Sequence, residues 1–86
     1  MKQIAVIGLG RFGMSVAQTL SESRCQVLAI DSDMARVKKA QAFVTQAVQL
    51  DAREEDALQS VGVAEMDKAV VAIGSNLESS MLATRF

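Results

Sequence analysis

The chain contains no histidine, tyrosine, tryptophan or proline. Without His or Tyr, the commonest general acids and bases of hydride-transfer enzymes are missing. The single cysteine, Cys25, allows no internal disulfide, which agrees with a reducing compartment. With no His to activate it, Cys25 reads as a small packing residue near a strand start rather than a nucleophile. Excess charge of either sign is also lacking. Nine Lys and Arg stand against ten Asp and Glu, with no basic stripe, so there is no electrostatic case for nucleic acid. No apolar run approaches the ~20 residues of a membrane span. The N-terminal segment lacks the length and cleavage site of a signal peptide. What remains is 86 residues, half of them apolar, which fits one small globular domain, or part of one, and argues against disorder.

Four short apolar runs punctuate the chain: Ile4–Ile7, Val27–Ile30, a weaker one within Val44–Leu50, and Ala69–Ile73. Runs so short and so apolar predict strands buried on both faces, as in a parallel sheet. Helical spacing fills the gaps. Phe12, Val16 and Leu20, with Gly13 and Ala17 alongside, predict the first helix, Met34, Val37 and Ala40 the second, and Leu58 and Val61 the third, with Gly62 as its stop. Leu77, Met81, Leu82 and Phe86 predict a fourth helix, cut off by the end of the chain. Asp51 to Glu54 and Ser75 to Glu78 have capping-box spacing. The alternation predicts an α/β, Rossmann-like, doubly wound parallel sheet of strand order 3-2-1-4. Residues 51–67 hold six acids against Arg53 alone, read as a solvated helix face.

Gly8-Leu9-Gly10-Arg11-Phe12-Gly13 follows the first strand directly and opens the first helix, the context that G-x-G-x-x-G requires. Gly8 permits the tight turn, Gly10 lets the backbone approach a pyrophosphate, and Gly13 allows close packing of the helix. The helix N-terminus offers N–H groups to phosphate oxygens. Asp31, 18 residues beyond Gly13, closes the second strand, where a carboxylate accepts the hydroxyls of an adenosine ribose and repels a 2′-phosphate. Its competing role is a cap for the second helix, a role that suits Asp33 better.

Further candidates face the same crevice, beyond the carboxyl ends of the strands. Ser32 follows Asp31. Asp51 and Ala52 follow the third strand and would flank an adenine. Ile73, Gly74, Ser75 and Asn76 follow the fourth, beside the phosphates or a second ribose, with a plain helix cap as the alternative for Ser75. Phe12 lies within the glycine loop. Arg11, beside it, is either a solvated side chain or a phosphate ligand. No catalytic residue or metal ligand is singled out.

The segments Gly8–Gly13, Val27–Asp33, Leu50–Ala52 and Val70–Asn76 together resemble the regulator-of-potassium-conductance family, specifically the nucleotide-binding domain of KtrA/TrkA-type regulatory subunits. The resemblance spans nearly the whole chain and implies a ligand-sensing module rather than an enzyme. It implies binding of ATP, ADP, NAD or NADH, with Gly8, Gly10 and Gly13 at the phosphates, Asp31 at the ribose and Asp51 at the adenine. Arg11 would reach a terminal phosphate, across a subunit boundary. It further implies a homodimer or larger ring under a membrane potassium transporter or channel, hence a cytoplasmic location at the inner face of the membrane. A family lobe continues through two more strands and a dimerising arm, so residues 1–86 are expected to be one domain of a longer chain. An open edge on the fourth strand would also promote self-association. Two other readings share the motif: the cofactor half of an NAD-dependent oxidoreductase, and a domain that uses the fold only for assembly.

Overall fold

The computed structural model describes residues 2–51, 53–72 and 81–83. Strands β1 (Gln3–Ile7), β2 (Gln26–Asp31), β3 (Gln46–Gln49) and β4 (Lys68–Val71) alternate with helices α1 (Arg11–Glu22), α2 (Met34–Ala40) and α3 (Glu55–Ser60). The four strands are parallel and lie in the order 3-2-1-4, as the alternation predicts. Backbone bonds extend the ladder past the strand ends: the N–H of Gly8 donates to the carbonyl of Ile30, that of Ala72 to Ile7, and that of Leu50 to Asp31.

Both faces of the sheet are covered, which is why the central strands are uniformly apolar. Ala5, Ile7, Leu28, Ile30 and Ala69 pack with Leu58 of α3 and with Val63, which opens a 3-10 turn over Val63–Glu65. Val6, Val27 and Ala29 pack on the opposite face with Ala17 of α1 and Ala40 of α2. Helices α1 and α2 thus share one face and α3 takes the other. The reversal falls between β1 and β4, and a reversal of this kind opens a crevice at the carboxyl ends of the strands.

Four expectations are corrected. Met81 and Leu82 belong not to a helix but to β5 (Met81–Ala83), antiparallel to β4 with Val70 opposite Leu82. Apolar runs too short to fix a period are ambiguous, and the unpaired backbone of β4 is a template for a strand. The β4 edge is therefore paired over Ala69–Val71 and gives no argument for self-association. Leu77, Phe86 and the Ser75–Glu78 spacing lie outside the described residues. The Asp51–Glu54 spacing does not form a capping box. The N-cap of α3 is Glu54, and it makes no side-chain cap bond. Finally, Phe12 is 42% exposed, whereas Val16 and Leu20 pack against the core beside the buried stripe of Gly13 and Ala17.

Small residues form that stripe because α1 sits hard against the turn before it. A Cβ at Gly13 would lie 1.8 Å from the carbonyl oxygen of Gly8. At the other end of α1, Arg24 adopts φ 65°, the left-handed position that glycine favours. Two outcomes follow for urea unfolding monitored by circular dichroism. Gly13→Ala is expected to cost about 3 kcal/mol, because backbone must move to admit the methyl group. Arg24→Gly is expected to add roughly 0.5 kcal/mol, the relief of left-handed strain less the extra chain entropy of glycine.

Candidate functional site

The glycine loop leaves β1 through Gly8 at φ 98°, a backbone conformation that glycine adopts freely and a Cβ penalises. Leu9 then drops its side chain into the core beside Val6 and Val27, 2% exposed, and pins the loop to the sheet. Gly10 is the N-cap of α1, and a Cβ there would meet nothing within 4 Å. The space above this backbone is open. No side chain caps the helix, and its first turn holds no acid. The positive end of a 12-residue helix is thus left to an outside anion.

Asp31 ends β2 next to this loop and is the buried charged residue of the described core, at 9% exposure. One carboxylate oxygen accepts the Leu9 N–H at 2.6 Å. The other accepts the Asp33 N–H at 2.8 Å. Each oxygen keeps a further lone pair for a ribose hydroxyl. Asp33 takes the cap of α2, its side chain accepting the Ala35 N–H at 2.9 Å. The cap of α2 thus falls to Asp33 and not to Asp31, as anticipated. Ser32 is exposed between them, and its carbonyl accepts a bond from the Gln49 side chain, which ties the ends of β2 and β3.

Asp51 sits past the end of β3 and is gripped by its own neighbour. Arg53 donates Nη2–H to one oxygen at 2.8 Å, and its Nε–H and backbone N–H to the other at 3.1 and 3.0 Å. These bonds, side chain first, hold the Asp51 carboxyl down at about 2 and raise Arg53. Arg11 and Phe12 open α1 and are both exposed at the mouth of the site. Ala52, Ile73, Gly74, Ser75 and Asn76 lie outside the described residues. Gly8, Gly10, Gly13 and Asp31 thus converge, and Arg11 flanks them.

Sequence reasoning overlooked three residues here. Leu9 was given no role of its own, although an apolar residue between two loop glycines is a natural anchor. Gln49 carried no signal. Arg36 did: it stands three residues after Asp33, the spacing of a helical ion pair. Its Nη1 lies 3.9 Å from Asp31 and its Nε 3.8 Å from Asp33.

Residues 4–86 match the TrkA-N domain model. The chain belongs to the TrkA-N domain family. This TrkA-N domain is 43% identical over 83 residues to the Ktr system potassium uptake protein A of Vibrio alginolyticus, covering 96% of the chain and 38% of that relative. It is 41% identical over 83 residues to the Ktr system potassium uptake protein C of Bacillus subtilis, with the same coverage. A putative K(+) efflux antiporter KefB of Alkalimonas amylolytica is 31% identical over 70 residues, 81% of the chain but 11% of the relative. The resemblance read from the glycine loop therefore holds at the level of a Ktr-type domain. The chain spans less than two fifths of the Ktr proteins' length. Among the described residues, no helix is long and apolar enough to cross a membrane.

The Asp51–Arg53 pair supplies a test that needs no ligand. An NMR titration should place the Asp51 midpoint near 2, against an ordinary value of 3.8. Arg53→Gln should return it toward 3.8, and high salt should move it part of the way, since the pair is exposed. Because folding lowers this pKa, the pair favours the folded chain above pH 3.8, and that contribution fades as pH falls through about 2.

Proposed function

We propose that this domain binds an adenine nucleotide, ATP or ADP or else NAD or NADH, and so regulates potassium transport. Residues 1–86 act as one nucleotide-binding domain. The bond from the Leu9 N–H to Asp31 carries the reading: it makes the ribose acceptor and the phosphate loop a single rigid unit. Phosphates lie over the Gly8–Gly13 loop, where the open backbone at Gly10 and the uncapped helix end receive them, and Gly13 serves by letting α1 approach the turn. The ribose hydroxyls donate to the remaining lone pairs of Asp31. Asp51 and Ala52 border the adenine, with Asp51 braced by Arg53. Ser32, Phe12, Ile73, Gly74, Ser75 and Asn76 line the rest of the crevice.

The Ktr relatives support the potassium assignment, and with it sensing over catalysis. As a regulatory subunit the protein assembles into a homodimer or larger ring, in the cytoplasm, against a membrane potassium transporter or channel. A nucleotide shifts such an assembly only by as much as it prefers one of its states. Arg11, exposed at the start of α1, is the residue able to distinguish a triphosphate from a diphosphate, within its own subunit or in a neighbour.

Calorimetric titration with ATP, ADP, NAD, NADH and NADP tests the reading. Asp31→Ala is expected to weaken every unmodified nucleotide by about tenfold or more, the loss of charged hydrogen bonds to the ribose. Arg11→Ala is expected to weaken ATP about tenfold more than ADP. Binding of NAD and NADH alone, indifferent to Arg11, would instead point to the cofactor half of an oxidoreductase. Failure of all five ligands would leave the fold as an assembly module.

A further inference from the structure

Asp31 does not face the ribose position alone. The guanidinium of Arg36 lies beside it, with Nη1 3.9 Å from Asp31 and Nε 3.8 Å from Asp33. Both separations are too long for hydrogen bonds, so neither acid holds the guanidinium fast. The Arg36 side chain is 53% exposed, against 8% for Asp31. It is a loosely held cation at the lip of a nearly buried carboxylate. A loose, exposed pair gives up little when its cation turns to another anion.

A ribose whose hydroxyls face Asp31 brings its 2′-oxygen within a few ångströms of this guanidinium. A phosphate on that oxygen meets two acids and one base. Asp31 repels it and Arg36 offers it a planar, bidentate donor, the geometry best suited to phosphate oxygens. Dinucleotide folds use a carboxylate at this place for an unmodified ribose and an arginine nearby for a phosphorylated one. Here both are present and tethered to each other.

We infer that Arg36 is a specificity-determining residue, a contact for the 2′-phosphate of a phosphorylated adenine dinucleotide, held in check by Asp31 and Asp33. The inference rests on the proposed nucleotide site. Selection against the 2′-phosphate is then a balance of charges, not the work of Asp31 alone. Freeing Arg36 from one of its acids relaxes the selection, and removing Arg36 sharpens it.

Asp33→Asn is the first variant to make, because asparagine caps a helix as well as aspartate does and Asp31 stays in place. The readout is the ratio of NADP to NAD dissociation constants, taken from NMR shift titrations carried to millimolar ligand. Arg36→Gln is expected to increase the preference for NAD about tenfold, the worth of one charged phosphate contact. Asp33→Asn is expected to reduce that preference several-fold, and Asp33→Asn with Arg36→Gln to match Arg36→Gln. Asp31→Asn is expected to strengthen NADP, and Arg36→Gln in the same chain to cancel the gain. Circular dichroism checks that each variant is folded, and the first two decide the question if Asp31→Asn is not. A ratio that is the same with and without Arg36 overturns the inference while the nucleotide site stands. Failure of NAD and ADP alike to bind the unaltered protein removes the site and the inference together.

Discussion

Everything at the site depends on the approach of α1 to the carbonyl of Gly8. No side chain fits between them, since a single methyl at Gly13 would overlap that oxygen. The closeness has structural consequences. It places the first turn of α1 directly over the end of β1, so the helix end opens onto the crevice and not onto the sheet's flank. It also demands a turn so tight that Gly8 takes positive φ, and Leu9 is turned inward to anchor the loop. With Leu9 buried, its N–H is presented to Asp31 across the strand ends. Two glycines and one aliphatic residue thereby set the position of a carboxylate 22 residues away.

Asp31 is both a strut and a candidate ligand group. A carboxylate at 9% exposure needs partners for its charge, and two backbone N–H groups supply them. Those same bonds hold its remaining lone pairs toward the crevice. Any ligand that draws on Asp31 therefore pulls on Leu9 and Asp33 as well, and through them on α1 and α2. That is a physical route from a ribose to two helices, made of one residue and two hydrogen bonds.

The strands of the central sheet were legible because they are buried on both faces and carry no period to misread. Edge positions were less so: β3 is half-buried and polar at both ends, and its signal was correspondingly weak. The glycine loop and Asp31 were legible because each position answers to one steric or charge requirement. Helix α1 was placed correctly, and its expected face turns inward from Gly13 to Leu20 but not at Phe12. Large apolar residues advertise a buried stripe, whereas the close approach at Gly8 selects small ones, and Phe12 is about 100° round the helix from Gly13. The capping box at Asp51 failed for a local reason: Arg53, two residues on, outcompetes the backbone of the helix for both carboxylate oxygens. The final strand was hidden because its partner is the β4 edge, a fact of topology that no local pattern encodes.

The shared part of the site cannot choose among adenine nucleotides. In the proposed site the glycine loop meets phosphate through backbone and Asp31 meets any unmodified ribose, so both contribute alike to every candidate ligand. A regulator must nonetheless distinguish its ligands, because equal affinity shifts no equilibrium. Discrimination therefore has to come from side chains at the two ends of the nucleotide, where the candidates differ. The side chains proposed for that role are two exposed arginines, Arg11 at the start of α1 and Arg36 beside Asp31. Arginine suits the task since its planar fork rewards a phosphate that is present and loses little when it is absent. In the proposed site, buried groups at the centre bind and exposed cations at the ends choose.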